Sequence, residues 1–381
     1  MRIAMFTDSY YPYLSGVVRS VETFTQELTR LGHQVFIFAP LYPGVKTEPG
    51  IFRFFSLPAP TKAGFSLAVP FSPGLGRFLR QLNVDIIHCH SPFLLGQAGN
   101  WWGRRLGLPV VFTYHTLYDQ YVHYVPLPSF VTRPLVVSWA RAFCNSCQLV
   151  VAPTPIVKAR LQAQGVKTPV LAIPTGIDLE EFTDPEPKWL RAGLRLAPET
   201  KIVLSVARFS REKNLGFLLR TFARIRQLYP QVHLVLVGIG SPAGLARLAR
   251  RLGVAAAVTL VGRKLPRAEL AKYYAGSDVF LYTSVTETQG IIIGEAQAAG
   301  LPVVAVKAFG VGDMVGDGVD GWLTSLEAEA LAARVAGLLQ NEALRLEMGQ
   351  RAKQSARKIA ADRMAGELAA AYGRLLRPEG C

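Results

Sequence analysis

Two cations stand where a diphosphate could be held. Val203-Leu204-Ser205-Val206-Ala207-Arg208 reads as a buried strand that ends on a guanidinium, and Lys213 and Asn214 follow just ahead of a helical segment. Positive charge and helix N–H groups beyond the carboxyl end of a strand suit a diphosphate; the plainer reading is a pair of solvated surface charges. Downstream, Glu287-Thr288-Gln289-Gly290 leads into a helix that contains Glu295. A loop carboxylate accepts hydrogen bonds from sugar hydroxyls, and a helix carboxylate can reach a ribose diol. The backbone N–H groups of Gly290 and Ile291 remain for an anion. Acids are also common at helix starts, so this spacing is modest evidence by itself. In the first half, Thr113-Tyr114-His115-Thr116 closes a strand on an imidazole. A lone histidine is more often a packing residue than a catalyst, but a strand terminus is where ligands are met. Gly16 follows the first strand at the start of a helix, where a phosphate could approach backbone N–H groups.

Other patterns carry less. Cys144 and Cys147 form one CxxC inside an expected helix with no second pair, which favours a buried helix face over zinc. His88-Cys89-His90 ends a strand, and alternation sends both imidazoles to one side, but further metal ligands are not evident. Gly238-Ile239-Gly240 is a poor dinucleotide fingerprint, since the third glycine is displaced to Gly244 and Pro242 intervenes. No Asp-x-Asp occurs, so the usual carboxylate pair for presenting a divalent cation to a nucleotide diphosphate is missing. No metal ligands are assigned.

These residues need a scaffold that gathers strand ends. Short β-branched runs near 2–7, 34–39, 51–55, 84–88, 109–113, 148–152 and 169–173 alternate with helical segments at 17–31, 72–82, 92–106, 130–146 and 154–164. The second half repeats the alternation, with strands near 201–206, 232–237, 257–261, 278–282 and 302–305. Its helices fall at 214–228, 241–252, 266–275, 290–299, 326–339, 342–357 and 361–376. The expected fold is α/β: two doubly wound, Rossmann-like domains, parted in the polar stretch 174–187. Ligands in such sheets sit beyond the carboxyl ends of the strands.

Composition narrows the class. The chain has 381 residues, 50% apolar and 18% charged, which excludes a disordered chain and suits two cores. No run of about 18 apolar residues suggests a spanning helix. The short apolar start Met1-Arg2-Ile3-Ala4-Met5-Phe6 does not read as a signal peptide, and four cysteines do not make a disulfide scaffold. The expected location is therefore the cytoplasm. A net charge of +15 suits phosphates, an anionic bilayer or nucleic acid. That charge is spread, with 15 basic and 8 acidic residues before position 181 and 27 and 19 after it, which disfavours a nucleic-acid arm. Residues 57–76 are rich in Pro and Gly yet apolar. Trp101-Trp102 precede Arg104-Arg105, and Tyr118, Tyr121, Tyr124, Phe130, Trp139 and Phe143 are interspersed with Arg133 and Arg141. Core packing and membrane contact compete as explanations of these aromatics.

Together the Gly16 loop, His115, Pro174-Thr175-Gly176-Ile177-Asp178, Arg208 with Lys213, and Glu287 through Glu295 resemble the family 4 retaining glycosyltransferases of the GT-B fold, in order and spacing. A narrower likeness lies in Phe6-Thr7-Asp8-Ser9-Tyr10-Tyr11-Pro12, in 113–124 and in Thr286-Glu287-Thr288-Gln289-Gly290. These resemble the bacterial 1,2-diacylglycerol 3-alpha-glucosyltransferases, whereas many family members carry Phe-Gly in place of Gln289-Gly290. The resemblance implies an acceptor-binding domain over 1–173 and a nucleotide-sugar domain over 174–360, facing a deep cleft. The C-terminal helix at 361–381 would pack back on the first domain. The implied reaction moves glucose from UDP-glucose to diacylglycerol, at the inner face of the cell membrane.

Carried over by position, the resemblance gives Arg208 and Lys213 to the donor diphosphate, assisted by Gly16 and the N–H groups near Ile291. Glu295 falls to the ribose, Arg263 and Lys264 to the flanks of the base, and Glu287 with Gln289-Gly290 to the transferred hexose. His115 would lie beside the anomeric centre, and Asp8, Asp119 and His123 would meet the acceptor. The donor is a substrate; no tightly bound cofactor is expected, and Mg2+ enters at most as a stimulating ion. Expected partners are the nucleotide sugar, the lipid acceptor and an anionic membrane surface, without nucleic acid. The competing acceptors are a soluble sugar, a polyprenyl-linked saccharide and phosphatidylinositol. Outside glycosyl transfer, the competing functions are a basic nucleic-acid-binding module and a sugar-nucleotide epimerase.

Overall fold

Runs of buried aliphatic residues form parallel strands that helices cover on both faces. A computed structural model of the chain describes residues 1–46, 48–58, 66–70, 72–120, 128–183 and 186–377. It divides into two units, Met1–Gly176 with Ala361–Cys381, and Ile177–Ala360.

The first unit runs β1 (Arg2–Phe6), α1 (Gly16–Arg30), β2 (Gln34–Pro40), β3 (Ile51–Phe54), β4 (Ser56–Pro58), β5 (Ser66–Ala68), α2 (Leu75–Gln81), β6 (Ile86–Cys89) and α3 (Leu94–Leu106). It continues through β7 (Val110–Thr113), α4 (Ser129–Asn145), β8 (Leu149–Ala152), α5 (Pro155–Ala163) and β9 (Val170–Ala172). Its seven-stranded parallel sheet has the order β3-β2-β1-β6-β7-β8-β9. Every residue of β6, β7 and β8 is buried, which suits their largely apolar sequences. In the pairing of β1 with β6, Phe6 lies opposite Cys89, so both strands end at the same level. The direction of winding reverses between these two strands, and the crevice at such a reversal is where doubly wound sheets hold ligands.

The second unit runs α6 (Pro187–Gly193), β10 (Lys201–Val206), α7 (Leu215–Leu228), β11 (Val232–Val237), α8 (Ala243–Arg251), β12 (Val258–Val261), α9 (Arg267–Ala275) and β13 (Val279–Tyr282). After it come α10 (Ile291–Ala298), β14 (Val303–Val306), α11 (Val311–Met314), β15 (Gly321–Thr324), α12 (Ala328–Gln340) and α13 (Glu342–Lys358). The sheet order is β12-β11-β10-β13-β14-β15, again parallel, with its reversal between β10 and β13. The final helix, α14 (Ala361–Leu376), belongs to the first unit and packs on α1. Met364, Ala365, Leu368, Ala371 and Tyr372 form its buried stripe, spaced at helical period.

Differences from the sequence reading are local. β15 pairs with β14 but is four residues long and opens on Gly321, too short and too broken to show as a strand pattern. The Pro-rich stretch contains the antiparallel pair β4 and β5. The helix expected from residue 72 starts at Leu75, because Pro73 and Gly74 precede it. Cys147 lies past the end of α4 rather than inside it; both thiols of the CxxC are buried, and burial pushes each up to about 12.

Candidate active site

Each sheet gathers polar side chains at its reversal. In the second unit, Arg208 leaves β10 and Glu287 lies five residues beyond the end of β13. Lys213 ends a short 3-10 turn (Arg211–Lys213), and Asn214 then takes φ 55° to start α7. The Lys213 ammonium donates to Oε1 of Glu287, and the two side chains are 13% and 16% exposed. Tyr282 and Ser284 donate to that same oxygen at 2.8 and 2.7 Å. Burial raises the Glu287 carboxyl, but the Lys213 charge and these three hydrogen bonds outweigh it and hold the group below its usual range. Oε2 takes none of them. Arg208 reaches Glu212 Oε1 at 3.4 Å and remains 41% exposed. Burial also raises Glu212, which hydrogen bonds and the Arg208 and Lys213 charges pull below the ordinary value.

Gly290 follows at φ 84°, a conformation that side-chain-bearing residues rarely adopt, and starts α10. The loop before it is braced from behind, since the Gly310 N–H donates to the Glu287 carbonyl at 3.0 Å. A Cβ on Gly310 would stand 2.0 Å from the Thr288 carbonyl oxygen, so only glycine allows this approach. Ile291 begins α10 and Gln289 is buried just before it. Glu295, also buried, accepts from the Tyr274 hydroxyl at 3.0 Å. Arg263 and Lys264 follow β12 on the surface, where Arg263 forks onto Glu269 at 2.5 and 3.2 Å.

In the first unit, His115 follows β7, and its Nε2 lies 3.0 Å from Nδ1 of His90, just beyond β6. Burial lowers the His115 imidazole to about 3, so the ring is neutral. Gly16 begins α1 one residue after Ser15, whose hydroxyl accepts from Val18 N at 3.3 Å. Its exposed position leaves a helix N-terminus accessible.

Asp8 and one oxygen of Asp119 have internal partners, while Asp119 Oδ1 is buried with no hydrogen-bond partner among the described residues. The Asp8 carboxylate accepts from Leu95 N at 2.9 Å, from Gly96 N at 3.4 Å and from the Ser91 hydroxyl, which makes it a cap for the start of α3. Burial raises its carboxyl despite those bonds. Asp119 takes Arg160 at 2.6 Å and Gln120 at 2.9 Å and is buried. Asp8 thus caps a helix, and Asp119 sits in an internal ion pair. His123 lies outside the described residues.

The sequence reading missed Tyr282, Ser284, Glu212 and His90. Alternation does place Tyr282 and Ser284 on one side of the end of β13, so a weak signal existed. His90 was visible only as half of a His-x-His weighed for metal. Among the described residues no group of three or more His, Cys, Asp or Glu side chains is placed to hold a metal ion.

Comparisons with known proteins agree on this architecture. A family model described as Glycosyltransferase Family 4 matches residues 14–181, and one described as Glycosyl transferases group 1 matches 188–355. The chain is 36% identical over 320 residues to the alpha-monoglucosyldiacylglycerol synthase of Streptococcus pneumoniae, covering 80% of this chain and 71% of that protein. It is 31% identical over 322 residues to the enzyme of the same name from Acholeplasma laidlawii, covering 80% of each. The solved structure of Anabaena HepE in complex with UDP and glucose superposes with a TM-score of 0.79 at 21% identity, over 98% of this chain and 100% of that one. The chain belongs to the glycosyltransferases, with the Family 4 pattern in its first half and the group 1 pattern in its second, on a GT-B fold.

Proposed function

We propose that the protein is a retaining glucosyltransferase that moves glucose from UDP-glucose to diacylglycerol at a membrane surface. The observation that carries this reading is the reversal of the second sheet, where Arg208, Lys213 and Glu287 stand together. Arg208 and Lys213 serve the diphosphate. Glu287, with Oε1 already occupied, offers Oε2 to sugar hydroxyls, and Glu295 serves the ribose. The HepE complex with UDP and glucose and the two glucosyldiacylglycerol synthases support this choice of donor and acceptor.

The reaction needs no nucleophilic side chain. The C1–O bond to the diphosphate breaks first, and its electron pair stays on the phosphate oxygen. Fixed cations stabilise that oxygen as its charge grows, the largest lever available to such a site. The acceptor hydroxyl attacks C1 from the same face and gives its proton to the departing oxygen, so configuration is retained. His115 holds the reacting sugar as a neutral imidazole. Donor binding needs no protein-bound metal.

Surface chemistry supports a lipid acceptor. The first two turns of α4 expose Phe130 (80%), Val131 and Leu135 beside Arg133, and no acidic residue occurs in the helix. Phe55, Leu57, Leu67 and Val69 are exposed around β4 and β5, within a stretch from 49 to 84 that has no Asp or Glu. A cavity of about 410 Å³, lined mostly by apolar side chains such as Phe38, Phe52, Phe54 and Phe78 with Arg53 and Ser72 among them, adjoins them. By contrast, Tyr118 and Phe143 are buried in the core, and Trp139 packs on Phe93. No described helix is long and apolar enough to cross a membrane.

The test is product analysis after incubation with UDP-glucose and diacylglycerol in anionic vesicles. The expected product is an α-linked monoglucosyl lipid. Transfer only to soluble, polyprenyl-linked or phosphatidylinositol acceptors overturns the lipid assignment, and donor isomerised without acceptor overturns transfer itself.

A further inference from the structure

Three imidazoles line up across the middle of the first sheet. His88 and His90 project from the same side of the β6 end, with ring centroids 4.1 Å apart. His88 is fixed at both nitrogens: Nδ1 lies 2.5 Å from the Tyr372 hydroxyl and Nε2 lies 2.6 Å from Thr113 Oγ1. Tyr372 is fully buried on α14, so the last helix of the chain braces this stack. His90 in turn places Nδ1 3.0 Å from Nε2 of His115, with the two rings 18° from parallel.

The remaining nitrogen of His90 decides where the proton sits. Nε2 is buried and has no hydrogen-bond partner among the described residues. His90 and His115 both have their ionisation suppressed by burial, so each ring carries one proton. A proton on His90 Nε2 would be an orphaned N–H in an apolar interior, at a cost of about 1–3 kcal/mol. A proton on Nδ1 goes into the contact with His115 and leaves only an unpaired acceptor at Nε2. Buried unpaired acceptors are tolerated better than buried unpaired donors.

We infer that His90 is a positioning residue that donates from Nδ1 to Nε2 of His115, so that His115 carries its own proton on Nδ1. His115 then presents an N–H rather than a lone pair at Nδ1. The inference deepens the glycosyl-transfer reading and rests on it, since that reading sets the His115 imidazole beside the anomeric centre, where a route with proton transfer inside the ion pair asks for no base. Neither ring is a lone histidine; each one's chemistry is set by its neighbour, as with ligands oriented by an outer partner.

The experiment is long-range proton–nitrogen correlation on nitrogen-15-labelled protein, with steady-state kinetics on His90→Asn and His90→Leu. Wild-type His115 is expected as the Nδ1–H form. His90→Asn keeps an N–H near the Nδ1 position and should hold kcat within about threefold, whereas His90→Leu should lower kcat by about 10–100-fold with donor KM nearly unchanged. Circular dichroism and thermal melting establish that each variant folds. An Nε2–H form of His115 in the wild type overturns the inference. So does a folded His90→Leu with normal kcat, or a His90→Asn as impaired as His90→Leu. If the wild type transfers no sugar, the functional reading fails, while the spectra still decide the tautomer.

Discussion

Lys213 and Glu287 are 74 positions apart in sequence, yet the ammonium donates to the same carboxylate oxygen that accepts from Tyr282 and Ser284. This pair ties the turn after β10 to the loop after β13, across the reversal of the second sheet. It holds Lys213 in one orientation. Lys213→Ala and Arg208→Ala should each lower kcat by about 10²-fold or more, as loss of a transition-state donor typically does. Normal turnover in either variant removes that residue from the diphosphate clamp.

The same pair sets an acid-sensitive stability term. Glu287 ionises more easily folded than unfolded, so its contribution is full above the unfolded carboxylate value and is lost as pH falls through its lower folded value. Glu287→Gln should therefore flatten the acid side of a melting-temperature profile below pH ~4.3, the ordinary glutamate value. It should also weaken use of the donor by about 10–100-fold, since hydrogen bonds to a charged group contribute about 1.5–3 kcal/mol. An unchanged acid limb argues against the pairing.

A backbone contact can be tested without touching a polar group. In Gly310→Ala the new Cβ would stand 2.0 Å from the Thr288 carbonyl oxygen and must push the 287–290 loop forward. Overpacking of this kind costs about 1–3 kcal/mol. Donor KM should rise more than acceptor KM, because the displaced loop carries Glu287, which the proposed function gives to the donor sugar. Equal changes in both would point to general loss of structure.

The histidine stack predicts a second, higher pH window. His88 and His115 are each lowered by burial to about 3 from an ordinary 6.5. The unfolded chain thus binds more protons than the folded one between those values, and stability should fall as pH drops below ~6.5, before carboxylates titrate. Melting temperatures measured between pH 7.5 and 5 should show this decline. A flat profile over that interval contradicts buried, neutral rings.

Membrane contact should localise to α4. Phe130→Glu with Leu135→Glu replaces exposed apolar groups by charges that an anionic surface repels, while both sites lie on the solvent side of the helix. Co-sedimentation with anionic vesicles should weaken, and wild-type binding should fall with salt, each basic group near the surface contributing about 1 kcal/mol. Retained turnover of soluble acceptor analogues would show that the fold survives. Unchanged vesicle binding would move the contact elsewhere, with the exposed residues around β4 and β5 the next surface to test.

Residue order alone specified much of this protein. Unbroken apolar runs such as Ile202–Leu204 and Phe280–Tyr282 can be satisfied only in sheets covered on both faces, so alternation with amphipathic helices dictated doubly wound halves. It also placed Arg208, Lys213, Glu287, His115 and Gly16 just beyond strands or at helix starts, because local periodicity marks where each element stops. Short elements such as β15 and α11 escaped, having too few residues to show a period. What periodicity does not contain is which strand neighbours which. Only the tertiary pairing of β10 with β13 brings Lys213 to Glu287, Tyr282 and Ser284, and only that of β6 with β7 sets His90 against His115. The same packing set Asp8 against the α3 N-terminus and one oxygen of Asp119 against Arg160, because a buried carboxylate is costly without donors. Long-range hydrogen-bond satisfaction, which no local pattern encodes, decided which polar residues are bound into the fold.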